Sequence, residues 1–427
     1  MKKPSDLIIK CLILWLLTTV FFISPLSARE ISLERFLLMV QINNKSIKSS
    51  ARNLESTYYS VKSAVAPQRT KVNIQETTNA ITSETAENTL SLGISQEIDI
   101  SGIYSDQEKS AVYGYKVQAE THRKLVNEIL SSAESLYWRA IMGQENADLY
   151  RNILGEREEI LRITREQFRQ DIIPRLDVVR AEARVEESRS LLTQARSNYN
   201  DLLSRLSTLV GGMEVIPQRT SLIPPEMPSV RNVEETCSSR PDILSLQYAL
   251  DKAKTDLRLA SRGLSPTLDA FLGWTAWSDA RIVSPPEDEL LLSLTMNIPL
   301  TDGNRTHYQV KEKEEAIGSA RKELGARMDT AMEEITLARN RWERAIAIRK
   351  SREKQVQLAE EELRITTLLY QEGLGSQLDL LNAQTEQVRA STERLDAVKE
   401  LYLALVDMKK ACGYYAQEYT DKKLIRY

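Results

Sequence analysis

Residues 104–170 and 304–370 contain no proline and are dominated by Ala, Leu, Glu, Arg and Gln. Read as single helices, each stretch would be about 100 Å long, and no single globular domain can enclose a rod of that length. In the second stretch Ile317, Leu324, Ala331, Ala338 and Ala345 recur every seven residues, and Met328, Ile335 and Trp342 form a companion series. A strict seven-residue repeat drifts off one face of a straight helix, so it predicts a coiled coil. The 427 residues include only 15 glycines, about half the ordinary share. Together with the long proline-free tracts this excludes a disordered chain and an all-β sandwich. With 57 basic against 60 acidic residues and a net charge of -3, the chain has no field for nucleic acid.

The chain is also duplicated. Leu161-Arg162-Ile163-Thr164 recurs as Leu363-Arg364-Ile365-Thr366, and the same offset pairs Phe168 with Tyr370, Leu176-Asp177 with Leu378-Asp379, Ala181 with Ala383 and Gly211 with Gly413. This gives a first repeat over 29–211 and a second over 238–413. Between them lies a linker, 212–237, marked by Gly212, Pro217, Pro224, Pro225 and Pro228, and a polar tail covers 414–427. Each repeat reads as a helix, a β-hairpin, a long helix, a sharp turn and a return helix. In the first repeat the opening helix covers 31–66, the hairpin about 70–101, the long helix about 104–170 and the return helix about 174–211. In the second, a helix from Arg240-Pro241-Asp242 to about 263 precedes a hairpin at about 267–300, a long helix at about 304–370 and a return helix at about 376–412.

The strands have two unlike faces. Leu90, Leu92, Ile94, Ile98 and Ile100 alternate with Ser91, Gly93, Ser95, Glu97 and Asp99, and Leu290, Leu292, Leu294, Met296, Ile298 and Leu300 alternate with Ser293, Thr295 and Asn297. Val72 and Ile74 mark the partner of the first of these strands, and Leu268, Ala270, Leu272 and Trp274 the partner of the second. Trp274 and Trp277 suit an interfacial aromatic belt or simple packing. Four strands of this length and pattern fit a transmembrane β-barrel. They fit equally a small sheet packed on helices, and four strands cannot close a barrel alone, so a barrel would have to be shared between copies.

Residues 1–28 read as an export signal: Lys2, Lys3 and Lys10, an apolar run from Cys11 to Ile23, and Leu26-Ser27-Ala28 before the cut. Removing Lys2, Lys3, Lys10 and Asp6 takes away a net +2, so the mature charge is -3 minus 2, or -5. No cysteine stands at the cut to carry a lipid anchor. Cys237 and Cys412 remain, read as two buried free thiols, with a disulfide as the alternative. His122 and His307 are the only histidines and have no metal-ligand spacing, so helix-surface or interface positions are expected. No phosphate loop, nucleophile elbow or paired acid site appears. The reading is therefore of a non-enzyme with no cofactor and no metal.

Several segments resemble the TolC-type outer-membrane efflux proteins. They are Leu294-Thr295-Met296-Asn297-Ile298-Pro299-Leu300-Thr301-Asp302-Gly303-Asn304-Arg305 at the strand-to-helix junction, Arg240-Pro241-Asp242-Ile243, Leu264-Ser265-Pro266-Thr267-Leu268, and Tyr370-Gln371-Glu372-Gly373 leading to Ser376 and Leu378-Asp379. The resemblance covers nearly the whole mature chain. It implies a mostly α fold with four transmembrane β-strands per chain, and a homotrimer in which a 12-stranded β-barrel in outer-membrane lipid joins a long α-helical coiled-coil barrel in the periplasm of a Gram-negative bacterium. It further implies docking onto a periplasmic adaptor (membrane fusion) protein linked to an inner-membrane pump, in an efflux or type I secretion system. A soluble periplasmic coiled-coil scaffold or adaptor is the alternative.

Site residues follow from the two turns and from the resemblance. The adaptor-docking tip comprises Asp171, Ile172 and Pro174 in the first repeat and Tyr370, Gly373, Leu374, Gly375 and Ser376 in the second. Gly373 and Gly375 are expected to supply positive φ at the helix end, and Ser376 to cap the next helix. Asp171, replacing glycine, tolerates that conformation less well. Tyr370 matches a tip tyrosine of the family, although Phe168 at its repeat mate suits packing. The resemblance places a pore constriction at Asp379, with Asn382 where the family has a second aspartate, and Asp177 is the repeat mate of Asp379. In a trimer each would form a ring, and carboxylate rings hold cations; helix N-terminal placement explains the aspartates equally. Gly102 and Gly303 mark the strand-to-helix turns.

Overall fold

A computed structural model describes residues 30–66, 69–81, 85–220, 233–279 and 289–419. The expected export signal, much of the linker and the end of the tail lie outside these residues, as do the side chains of Leu90 and Trp277. In chain order the elements are β1 (Glu30–Ile31), α1 (Leu33–Asn43), α2 (Lys45–Val65), β2 (Lys71–Ile81), β3 (Thr85–Ile98), α3 (Ile103–Arg169) and α4 (Arg175–Leu209). They continue with β4 (Ile216–Pro217), α5 (Val233–Ser238), α6 (Pro241–Ser261), β5 (Thr267–Asp279), β6 (Glu289–Asn297), α7 (Arg305–Gln371), α8 (Gln377–Ala411) and α9 (Tyr414–Glu418). The long helices α3 and α7 have 67 residues each, without a break. Among the described residues no helix is long and apolar enough to cross a membrane.

The chain packs as two compact units that cut across the sequence repeats. The first takes the chain up to Asn44 with Leu130–Met227 and Arg341–Val406; the second takes Lys45–Ile129, Pro228–Asn340 and the chain from Asp407. In the first unit the Tyr137 hydroxyl donates to the Ile31 carbonyl at 2.8 Å, and the Tyr137 ring lies 5.5 Å from that of Phe36. Trp138 stacks on Tyr402 at 4.0 Å between centroids. Further along, Trp342 and Ala345 of α7 pack on Leu401, Ala404 and Leu405 of α8, and Leu161 of α3 packs on Ala181 and Val185 of α4. These contacts use residues three or four apart on each helix, with alanine as the small partner, which lets the helices approach closely.

In the second unit Leu54 and Val61 of α2 pack on Tyr115 and Ala119 of α3. The start of α6 is fixed by ion pairs. Arg240 bonds both oxygens of Asp242, Glu334 at 2.7 Å and the Ala411 carbonyl at 3.1 Å, while Arg327 bonds Asp242 and Glu334. Burial alone would raise the Asp242 carboxyl, but Arg240 and Arg327 hold it below its usual value, and Glu334 is lowered by the same two partners against the same opposing burial. Both cysteines among the described residues are free thiols: Cys237 is buried, and burial pushes the thiol of Cys412 up to about 11.

Two features differ from the sequence reading, and a third decides between its alternatives. The opening helix is broken at Asn44, whose ψ of 126° is extended, so 31–66 is two helices; asparagine offers its neighbours a side-chain alternative to helical hydrogen bonds. Of the two positions expected for His122, helix surface or interface, the second holds: it is buried between α3 and α2, with Nδ1 3.1 Å from Ser50 Oγ, and burial lowers its pKa. Ile216–Pro217, in the segment read as linker, forms a short parallel pair with Glu30–Ile31, where the opening helix was expected to begin.

Candidate functional site

The sheet has the order β2-β3-β5-β6, antiparallel throughout, and its register aligns apolar side chains in rows. Val72, Ile94, Leu272 and Leu292 stand side by side across all four strands, and Ile74, Leu92, Trp274 and Leu290 form the next row. These are exposed: Val72 by 67%, Ile74 by 75%, Leu290 by 74% and Leu292 by 79%. A continuous apolar face of this size marks a surface for lipid or another protein. On the other face the equivalent row reads Lys71, Ser95, Phe271, Ser293. Among the described residues β2 and β6 each lack a neighbour on their outer edge, so the sheet is open on both sides.

Each hairpin leads into its long helix through a glycine at positive φ, Gly102 at 74° and Gly303 at 66°. Asp99 then caps α3 by accepting from the Ile103 and Tyr104 amides at 3.0 and 3.1 Å, and Asp302 caps α7 by accepting from the Thr306 amide at 2.7 Å.

The other ends of α3 and α7 are built alike. The amide of Ile172 donates to Gln167 and that of Asp171 to Phe168; in the second repeat Leu374 donates to Leu369 and Gly373 to Tyr370. This is one helix-ending motif used twice, with Asp171 at φ 55° and Gly373 at φ 72°. Gly375 does not have positive φ, contrary to expectation. It is needed instead for close approach, since a Cβ there would lie 3.1 Å from the Tyr370 nitrogen and 3.2 Å from Leu369. Tyr370 does not present its ring at the tip: it is buried, 6% exposed, and burial raises its pKa, with Thr164 and Asp177 nearby. What the tip does expose is Ile172 and Leu374, and one turn further Leu176 and Leu378, two repeat-equivalent pairs of which sequence reading singled out only the first. Pro174 opens the return helix α4 in extended conformation.

At the start of α8, Ser376 Oγ accepts from the Asp379 amide at 3.1 Å and donates to Asp379 Oδ2 at 2.6 Å. Asp379 and Asn382 are exposed on one face of α8, three residues apart. Asp177 is half-buried, lies 3.5 Å from Arg180, and its carbonyl accepts from Gln377 Nε2 at 2.8 Å. The two return helices thus meet at Asp177 and Gln377, but the carboxylates of Asp177 and Asp379 have different surroundings.

The sequence profile of the family described as "Outer membrane efflux protein" matches residues 28–212 and again 232–414. The chain belongs to this family. Its members are transport ducts of the outer membrane, not enzymes, which bears out the resemblance read from the motifs. Among similar proteins, nodulation protein T of Rhizobium leguminosarum bv. trifolii is 24% identical over 301 residues, covering 68% of this chain and 63% of the relative. Outer membrane efflux protein BepC of Brucella suis biovar 1 (strain 1330) is 24% identical over 324 residues, covering 73% of this chain and 68% of BepC. The chain thus spans about two thirds of the length of these relatives. The fold matches the open-state outer membrane channel MtrE of Neisseria gonorrhoeae with a TM-score of 0.77 at 18% identity, over 89% of this chain and 88% of that one.

Proposed function

We propose that three copies of this chain form an outer-membrane channel-tunnel, the passive exit duct of a tripartite efflux or type I secretion system. The observation that carries the reading is the apolar face, continuous in register over four strands whose two outer edges have no partner. Joining β6 of one copy to β2 of the next leaves no free edge, and three copies of four strands make a 12-stranded barrel with its apolar rows toward outer-membrane lipid and its polar rows inward. The long helices continue into the periplasm. A soluble scaffold has no use for such a face.

The helix-ending turns form the docking surface for a periplasmic adaptor, which links the duct to an inner-membrane pump. Ile172, Leu176, Leu374 and Leu378 provide its exposed apolar contacts, with Asp171, Pro174, Gly373 and Gly375 setting the turn geometry. Asp379, Asn382 and Asp177 line the constriction.

The test is the native mass of the detergent-extracted outer-membrane fraction and its conductance in a planar bilayer. We expect a trimer that conducts ions. A soluble periplasmic monomer, or a membrane-bound trimer that does not conduct, overturns the reading.

A further inference from the structure

In the first unit, α3 faces α7 and α8 across a cavity of about 420 Å³. Apolar surface predominates in its walls, with Ile153, Ile160 and Ile163 of α3, Leu363 of α7 and Val388 of α8, and the carboxylates of Glu156 and Glu159 line it as well. Arg157 of α3 and Gln384 of α8 also line it, and they are 8% and 3% exposed. Neither is satisfied: Arg157 Nη1 and both side-chain polar atoms of Gln384 are buried without a hydrogen-bond partner. A second cavity of about 320 Å³ adjoins the first through Ile153, Arg157 and Val388 and brings in Arg184. Arg184 is already bonded to Glu187 at 2.7 Å, and Glu159 at the first cavity is bonded to Arg162.

Burial, then Arg184, lowers the Arg157 guanidinium to about 10 against the opposing pull of the Glu156 and Glu187 carboxylates, and it remains charged at neutral pH with one donor still unbonded. A buried cation with an unpaired donor, beside an amide with neither atom bonded, is unfavourable unless something fills the space between them. An inorganic anion would answer the charge but leave most of the volume against aliphatic walls. Apolar walls with a few convergent polar groups are the composition of sites for small organic molecules, and the volume lies in their usual range.

We propose that this cavity binds a small monocarboxylate with an apolar body. The carboxylate accepts from Arg157 Nη1 and Gln384 Nε2, the body lies against Ile153, Ile160, Ile163 and Leu363, and Gln384 Oε1 takes a hydrogen bond from water or from a donor on the ligand. Such a ligand ties α3 to α7 and α8. The site stands on the cavity and its unsatisfied groups alone, so it does not depend on the channel reading.

The experiment is a titration of the intact, detergent-extracted protein with 2-naphthoate, followed by fluorescence and corrected against detergent alone. The expected result is saturable binding that Arg157→Met weakens at least about tenfold, while neutral 2-naphthylmethanol binds the parent protein no better than naphthoate binds the variant. Inorganic phosphate at equal concentration should not compete. No saturable binding, equal binding of the neutral analogue, or unchanged binding to Arg157→Met each overturns the proposal, and strong competition by phosphate replaces it with a bare-anion site. If circular dichroism shows that Arg157→Met does not fold, Gln384→Leu decides: it keeps the cation and should weaken naphthoate binding severalfold, and unchanged affinity overturns the proposal.

Discussion

At the scale of single residues, Arg240 shows how much of this chain's second unit rests on contacts distant in sequence. Its guanidinium is shared among Asp242, Glu334 and the Ala411 carbonyl, and Arg327 bridges the same two carboxylates. Replacing it leaves Asp242 buried with only one cation, and breaking a buried pair costs about 3–5 kcal/mol. We therefore expect Arg240→Ala to lower the thermal unfolding midpoint far more than Arg162→Ala, whose exposed pair with Glu159 contributes little. The pH dependence has a definite sign. Asp242 and Glu334 are lowered by Arg240 and Arg327 against opposing burial, so the cluster's stabilisation is present above the unfolded carboxylate range and is lost as pH falls through the lowered folded values. Acid titration of the unfolding midpoint should show this loss in the parent protein and a smaller one in Arg240→Ala; equal acid sensitivity would sink the assignment. The Arg-Pro-Asp sequence was visible as a motif, but Glu334 and Arg327 lie far along the chain and no local pattern points to them. The same holds for Gln384 and Arg157. By contrast Asp171 was legible, because its repeat mate is a glycine and both adopt positive φ.

At the scale of elements, two periodicities carried most of the information. Alternation marked the strands, and the seven-residue repeat marked α7, whose Ala331, Ile335, Ala338, Trp342 and Ala345 are buried while Ile317 and Leu324 are only half-buried within the chain. That unequal burial of one seam is what a neighbouring copy would cover in the proposed trimer. What alternation missed is how the polar face of the sheet is filled. Gly93 and Gly273 are paired directly in register, and the Phe271 ring lies over both: a Cβ on either would come within 2.5 Å of it. A glycine pair weakens a sheet, and an aromatic ring laid across it restores the lost packing. We expect Gly273→Val to displace the ring and lower the temperature at which the assembly dissociates. The same substitution in a Phe271→Ala background should be neutral or stabilising, because valine suits a strand once the ring is gone. A coupling of about 1 kcal/mol between the two changes is the expected size, and strictly additive effects would show that the ring does not rest on the glycines.

For the whole molecule, the distinctive consequence of the proposed three-fold assembly is that every constriction residue acts three times. Asp379 and Asn382 are exposed on one face of α8, whereas Asp177 is half-buried beside Arg180, so two residues the duplication makes equivalent are not equivalent electrostatically. A ring of three exposed carboxylates attracts multivalent cations to a narrow aperture, and the neighbouring amide ring adds no charge. Asp379→Asn keeps the side chain's shape and leaves Ser376 Oγ able to cap α8, so it isolates the charge. We expect it to weaken block by a trivalent cation roughly fivefold, the effect of losing about 1 kcal/mol of attraction in a water-filled passage. Asp177→Asn should change block much less, because its carboxylate already faces a cation. Asn382→Asp provides the opposite test: a second carboxylate ring one helical turn from the first should tighten block and make it more sensitive to ionic strength. Single-channel recordings on the three variants separate the possibilities. If Asp379→Asn leaves block unchanged while Asp177→Asn weakens it, the aperture lies with the first repeat. If neither alters block, the carboxylates serve their helix N-termini and the constriction lies elsewhere.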